Sequence, residues 1–286
     1  MTILILQSVF NGLVLGSSYA LIAIGLTMIF GIMNIANFAH GQFYMLGGLC
    51  AYYVTSAVGL SYFLALIISV LVVTGLGIML EKLIFSRLRN KAIMASVLAT
   101  IGLAIVLENA ALIVWGPRPE AIKSSFSLAA LRLGPIFTTG PRLFAVAVTF
   151  VAIGATHWVL HYTRIGKAVR ATFQDRESAQ LVGIEIDHVH SFTFGLGAGL
   201  AALAGVLLGS IFFVHPTMGG AATLKAFVVV ILGGMGSFTG SIVGGLLLGV
   251  AESFGTLVSS AYKDAVGFVF VILILLYRPQ GIFRKV

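Results

Sequence analysis

TRIGKAVRATFQDRESAQLVGIEID, residues Thr163–Asp187, is a polar island between two long apolar runs. It sets Arg164, Lys167, Arg170 and Arg176 against Asp175, Glu177, Glu185 and Asp187, eight of the chain's 26 Lys, Arg, Asp and Glu residues. The flanking runs, Leu143–Tyr162 and Val189–Val214, are long and apolar enough to be membrane crossings, since about 20 apolar residues span a bilayer at ~1.5 Å of helix rise each. The island is then a loop held at a membrane surface.

Composition agrees. The 286 residues are 59% apolar and 9% charged, with a mean hydropathy of +1.09, whereas about a quarter of a soluble domain is charged. The net charge of +8 comes from Lys and Arg in loops between apolar runs, where membrane orientation already accounts for them, so no nucleic-acid partner is expected. The single Cys50 excludes an internal disulfide and offers no metal set. MTILILQSVFNG lacks a basic leader and reads as an uncleaved first span.

The expected fold is all-α and polytopic: a single transmembrane domain over 1–286, with about eight helices plus a short broken membrane segment near 221–240. Ile3–Phe10 reads as an interfacial lead-in and Leu13–Phe30 as the first span, and Met33–Gln42 interrupts the apolar pattern. Phe43–Val58, Tyr62–Leu80, Ala92–Trp115 and Leu143–Tyr162 follow, then Val189–Val214, the short Ala221–Gly234, Ser241–Leu257 and Ala265–Tyr277. The loop 116–142 holds Pro117, Pro119, Pro135 and Pro141 and is too irregular for membrane depth.

Basic residues set part of the orientation, although the loop 116–142 also carries Arg118, Lys123, Arg132 and Arg142. Glu81–Lys91 (Lys82, Arg87, Arg89, Lys91), the island and the tail 278–286 (Arg278, Arg284, Lys285) belong in the cytoplasm, with 116–142 on the periplasmic side. An even number of crossings must then separate island and tail, so Ala221–Gly234 has to cross despite its length. Counting back places the N-terminus outside.

Several features could carry function. Glycines recur at four-residue spacing: Gly12/Gly16, Gly195/Gly199, Gly205/Gly209, Gly236/Gly240/Gly244 and Gly245/Gly249. Small residues one turn apart let helices approach closely in lipid; whether they only pack or also slide, spacing does not say. Asn34, Asn37, His40 and Gln42 lie in an interrupted stretch that reads either as a surface turn or as a broken helix lining a translocation path. Gly233, Gly234, Gly236 and Gly240 mark a second helix break. Glu108 is the acid placed well inside a span, in the pathway or bonded to a neighbouring helix, while Glu252 reads as facing an interface. His157 and His161 stand one turn apart without the Glu of a zinc-protease motif, and no metal site is expected. There is no nucleophile elbow and no P-loop, so the chain is not an enzyme and does not hydrolyse ATP by itself.

Within the island, Gly166–Phe173 reads as one short helix. Asp175 is a good N-cap for a second, with Glu177 in its first turn, and Gly183 is a natural stop. A capped helix with an apolar side (Ala179, Leu181, Val182), tethered at the surface by two spans, suits docking into a partner's groove; the alternative is a helix lying on the bilayer.

The island resembles the cytoplasmic coupling loop of ABC-importer permeases. More narrowly, Asn11–Gly47, Gly166–Asp187, Val228–Gly245 and Arg278–Phe283 resemble the LivH-type permeases of branched-chain amino acid importers. That resemblance implies a bacterial inner-membrane complex with a second, LivM-type permease, two cytoplasmic ATPase subunits that carry ATP-Mg, and a periplasmic binding protein. It places Lys167, Arg170, Asp175, Arg176, Glu177 and Gly183 in the ATPase-coupling loop and leaves this chain without a cofactor of its own. Permeases for amides or urea share the layout, and a secondary transporter driven by an ion gradient through Glu108 is the rival class.

Overall fold

The computed structural model describes residues 1–88, 91–124, 126, 130–259 and 262–283. Arg89, Arg284 and Lys285, named above among the basic residues, lie outside them.

Helix α1 (Thr2–Met33) is unbroken, so the expected lead-in Ile3–Phe10 forms its first turns. Its 32 residues run about 48 Å at ~1.5 Å each, longer than a bilayer core. It stops at Asn34, whose left-handed φ of 52° turns the chain while its N–H bonds Phe30 O at 2.9 Å. After an unwound stretch come α2 (His40–Ser56) and α3 (Tyr62–Leu80). The expected charged loop 81–91 begins instead as helix, through one π turn at Glu81–Phe85 and α4 (Ser86–Leu88). Glu81 is buried there because its carboxylate accepts a bond from Ser191 Oγ at 2.7 Å.

Helix α5 (Ile93–Trp115) leads into the proline-bearing loop, which is less irregular than expected. It contains a hairpin, β1 (Ala130–Leu133) antiparallel to β2 (Ile136–Thr139), turning at Gly134 with φ 60°. Gln7 fixes this hairpin to the start of α1 with two bonds to the Phe137 backbone, at 2.8 and 2.9 Å. Next come α6 (Gly140–Tyr162), the island helices α7 (Arg164–Gln174) and α8 (Arg176–Leu181), and α9 (Ile186–Gly209). The last three are α10 (Met218–Gly233), α11 (Phe238–Val258) and α12 (Lys263–Tyr277).

Six helices among the described residues are long and apolar enough to cross a membrane: α1, α3 with its extension, α5, α6, α9 and α11. Adding the shorter α2 and α12 meets the expected number of about eight, and α10 is the short segment. The break foreseen near 221–240 falls at 234–237, between α10 and α11.

Helices α1 and α9 are buried over most of their length, while α3, α5 and α6 expose most of theirs. What brings α1 against α11 is a double glycine crossing. A Cβ on Gly12 would stand 2.5 Å from Val250 Cα, and one on Gly16 would stand 2.7 Å from Gly245 O. Two glycine pairs thus meet face to face, as close helix packing in lipid requires.

The bundle has two distinct ends. The hairpin and the Glu120–Val214 bridge lie at one. At the other, Phe173 of α7 touches Gly236, and Gly281 of the tail packs against Gly234. Four helices, α9 to α12, run between the island and the tail. Helix α10 therefore crosses with only 16 residues, about 24 Å of helix at ~1.5 Å each.

Candidate functional site

Four clusters of polar or special-backbone residues stand out. The first is the island. Thr163 caps α7, its Oγ1 accepting from Gly166 N at 3.1 Å. Asp175 caps α8, with Oδ1 accepting from Glu177 N at 2.9 Å and Ser178 N at 3.1 Å. The Ser178 hydroxyl and these amides favour the ionised carboxyl, which holds Asp175 below the ordinary carboxylate value. Gly183, at φ 85°, ends α8 in a Schellman motif, with Gly183 N bonding Gln180 O at 3.0 Å and Ile184 N bonding Ala179 O at 3.1 Å. Ala179 packs inward, whereas Leu181 and Val182 are 88% and 78% exposed. Lys167, Arg176 and Glu177 are exposed and Arg170 half-buried. The island therefore presents a capped helix whose apolar tip is exposed among the described residues.

Phe173 connects this island to the bundle. Its ring lies where a Cβ on Gly31 would stand, at 2.5 Å, and 3.0 Å from one on Gly236. A small apolar groove of about 150 Å³ runs beside it, lined by Met28, Val169 and Phe238 among others. A displacement of α7 thus reaches both the end of α1 and the turn between α10 and α11.

That turn is the second cluster. Gly233 and Gly240 are in direct contact, and Gly234 (φ 97°) and Gly236 (φ 84°) take backbone conformations that side chains resist. The carbonyls left open at the end of α10 are filled by the tail: Ile282 N bonds Leu232 O at 2.9 Å and Phe283 N bonds Gly233 O at 3.2 Å.

The third cluster joins α1 to α2. Asn37, His40 and Gln42 are buried. Asn37 Oδ1 accepts from Ala39 N at 3.1 Å, and the His40 ring bonds Ile22 O at 3.0 Å. Gln42 Nε2 donates to Glu108 Oε2 at 3.4 Å, which brings two of the predicted residues together. Asn34 stands apart as an exposed helix stop. The unwound stretch and the first turn of α2 lie on α10, where Thr223 Oγ1 donates to Phe38 O at 3.3 Å and Gly41 N donates to Thr223 Oγ1 at 3.0 Å. Glu108 lies well inside α5, as expected, and is half-buried there, while Glu252 and Glu81 are the fully buried acids.

The fourth cluster was not foreseen. Lys225 of α10 reaches Glu252 of α11 at 3.0 Å, Asp264 of α12 at 2.9 Å and Tyr19 Oη of α1 at 2.9 Å. Tyr19 Oη donates in turn to Glu252 Oε2 at 2.8 Å, and Lys263 Nζ lies 3.6 Å from the same oxygen. Glu252 is fully buried, so its polar partners are side chains of the neighbouring helices. It does not face an interface, as its place near the end of a span led us to expect. The signal was legible, because Lys225 is the one charged residue in Ala221–Gly234, and an ionisable residue within a span marks function or pairing.

Above this cluster, a cavity of about 260 Å³ opens between α1, α2, α10 and the end of α9, with Lys225 and Lys263 in its wall. A second, of about 170 Å³, shares Leu15, Phe212 and Lys263 with it and adds Asn11 and Arg142. Asn34, Asn37, His40, Gln42 and Glu108 line neither. His157 and His161 stack with ring centroids 4.0 Å apart, His161 Nδ1 bonds His157 O at 2.9 Å, and the His157 ring lies 6.0 Å from that of Phe238. No group of three or more metal-ligating side chains occurs among the described residues.

Comparison with known proteins covers nearly the whole chain. Residues 8–276 match the family model described as the permease component of branched-chain amino acid transport systems. The high-affinity branched-chain amino acid transport system permease protein LivH of Salmonella typhimurium is 37% identical over 98% of this chain and 96% of its own. BraD of Pseudomonas aeruginosa, a permease protein of the same description, is 36% identical over 98% and 96%. Among solved structures, PsaBC from Streptococcus pneumoniae in complex with Fab superimposes with a TM-score of 0.52 at 14% identity, covering 94% of this chain and 91% of that one. That likeness is of fold alone.

Proposed function

Since the chain belongs to the family of permease components of branched-chain amino acid transport systems, we propose that it forms the translocation pathway of an inner-membrane ABC importer for leucine, isoleucine and valine. The observation that carries this reading is the 37% identity to LivH along 98% of the chain. The protein is a permease and not an enzyme, and ATP is hydrolysed by a separate subunit. A binding protein delivers the solute at the hairpin end. The full assembly pairs this chain with a second, LivM-type permease and two ATPase subunits bearing ATP-Mg.

In this reading the island is the ATPase contact. Leu181 and Val182 enter a groove on the ATPase, with Lys167, Arg170, Asp175, Arg176 and Glu177 around them and Gly183 fixing the turn. Support comes from the exposed apolar tip on a helix capped at both ends. Phe173 then carries movement to Gly31 and to the Gly233–Gly240 turn. Asn37, His40, Gln42 and Glu108 form the joint beside α10 whose backbone break lies next to the pathway.

The test is reconstitution. The complex in proteoliposomes, with its ATPase and binding protein, is expected to take up leucine only with ATP inside the ATPase-accessible compartment. Uptake without ATPase or binding protein, following a proton gradient, would refute the proposal and favour a secondary transporter.

A further inference from the structure

The two cavities at the hairpin end, which share Leu15, Phe212 and Lys263, have a chemistry that the family match does not assign. Their charged wall is cationic, with Lys225, Lys263 and Arg142. These three cations are not equally engaged. The three N–H groups of Lys225 are taken by Tyr19, Glu252 and Asp264. Lys263 lies 3.6 Å from Glu252, beyond good hydrogen-bonding distance. Arg142 spends one donor on Asn11 Oδ1, at 3.1 Å, and meets no carboxylate among the described residues. Two cations with free donors therefore share one cavity wall with the apolar side chains Leu15 and Phe212. A wall of this kind matches a carboxylate with a short aliphatic chain. The cavity that both cations line, about 170 Å³, is smaller than the roughly 300–1,000 Å³ of drug-sized sites, which suits a solute of a few carbons.

We propose that this vestibule is a docking site for the carboxylate end of an aliphatic amino acid, gripped by Lys263 and Arg142 with its side chain over Leu15 and Phe212. The buried Lys225–Glu252 pair is the foundation of the site rather than its contact. It holds α10, α11 and α12 together so that Lys263, in the first turn of α12, faces the cavity. The proposal deepens the importer reading and rests on it for the identity of the solute.

The experiment uses the complete importer in nanodiscs, without ATP, carrying Cys50→Ser and Phe213→Cys. Phe213 lines the vestibule and is 66% exposed, so its replacement gives a reporter for a charged methanethiosulfonate reagent. Leucine and 4-methylpentanoate should each slow labelling, by about tenfold at ten times the half-protecting concentration, following the factor 1 + [L]/Kd. Isopentylamine, which keeps the chain and lacks the carboxylate, should not protect. Lys263→Ala should raise the half-protecting concentration about tenfold or more, as loss of a charge-assisted contact predicts, and Lys263→Arg should restore most of it.

Protection by isopentylamine equal to that by leucine overturns the proposal. So does absence of protection in a preparation that transports leucine, a result that leaves the importer reading intact. Protection by 4-methylpentanoate and other aliphatic carboxylates in a preparation that transports no leucine sustains the site while refuting the solute assignment. An unchanged response in Lys263→Ala, in protein whose labelling without ligand matches the parent, counts against the assigned contact.

Discussion

Replacing Lys225 by Met tests whether the buried cluster is held by charge pairing. Glu252 is fully buried and would keep only the Tyr19 hydroxyl at 2.8 Å and Lys263 at 3.6 Å. Removing one partner of a buried pair costs about 3–5 kcal/mol, because the surviving charge is left uncompensated. The residual Tyr19 and Lys263 contacts put the expected loss at the lower end, about 3 kcal/mol. Removing both partners is different: Lys225→Met with Glu252→Leu takes away the desolvated charge together with its counter-charge and should recover stability to within about 1 kcal/mol of the parent. The double-mutant cycle, measured by equilibrium unfolding in mixed micelles, should therefore show a coupling of at least about 2 kcal/mol. A Lys225→Met loss below about 0.5 kcal/mol, or a double variant as unstable as the sum of its parts, would refute the reasoning.

Four further outcomes follow from the geometry. Gly183→Val forces a β-branched residue to φ 85°, costs about 1–2 kcal/mol locally, and should uncouple ATP hydrolysis from uptake while the protein still reaches the membrane; unchanged coupling argues against a docking role. Phe173→Ala empties the contact on Gly31 and Gly236, and should lower uptake per ATP hydrolysed more than it lowers ATPase activity, as paired assays of the two would show. The Asp175 carboxyl is held below its ordinary value of 3.8, so the α8 cap is at full strength above that pH and is lost as pH falls through the lower folded value; amide exchange at Glu177 and Ser178 should accelerate there, and no change in Asp175→Asn would be consistent. Glu108→Gln keeps a side-chain acceptor for Gln42 and should leave ATP-driven uptake largely intact, a result that loss of uptake in folded complex would contradict.

Much of this architecture can be read from residue pattern because lipid leaves few options. A run such as Val189–Val214 has to satisfy its own backbone, so helix and approximate limits follow from length, and α9 does run Ile186–Gly209. The island's caps were equally legible, since Asp175 and Gly183 act through bonds that span two to five residues. What stayed hidden depends on distant pairing. Glu81 reads as a loop residue until Ser191 is placed beside it, and Glu252 reads as interfacial until Lys225 and Tyr19 arrive from two other helices. Glu108 drew attention by its depth in a span, yet α5 lies at the edge of the bundle, and depth along a helix says nothing of which side the residue faces. The hairpin in 116–142 was missed because its strands are four residues each, too short for periodicity to show.

The glycine crossing of α1 on α11 also has a consequence in time. Its partners are far apart along the chain: Tyr19 and Glu252 are separated by 233 residues, and the Thr27 and Ser241 hydroxyls, 2.6 Å apart, by 214. At ~5–20 residues per second, the ribosome needs about 10–50 s to deliver the second half of this contact after the first. Through that interval the glycine face of α1 has no lasting mate, and its close fit leaves little for lipid tails to fill. Helix α9 emerges sooner and meets α1 elsewhere, with a Cβ on Gly25 standing 2.7 Å from Gly197 O. The order of docking is thereby written into the separation of the glycines, α9 first and α11 later, and a variant that loosens the α1–α9 fit would burden the insertion machinery before it altered the finished protein.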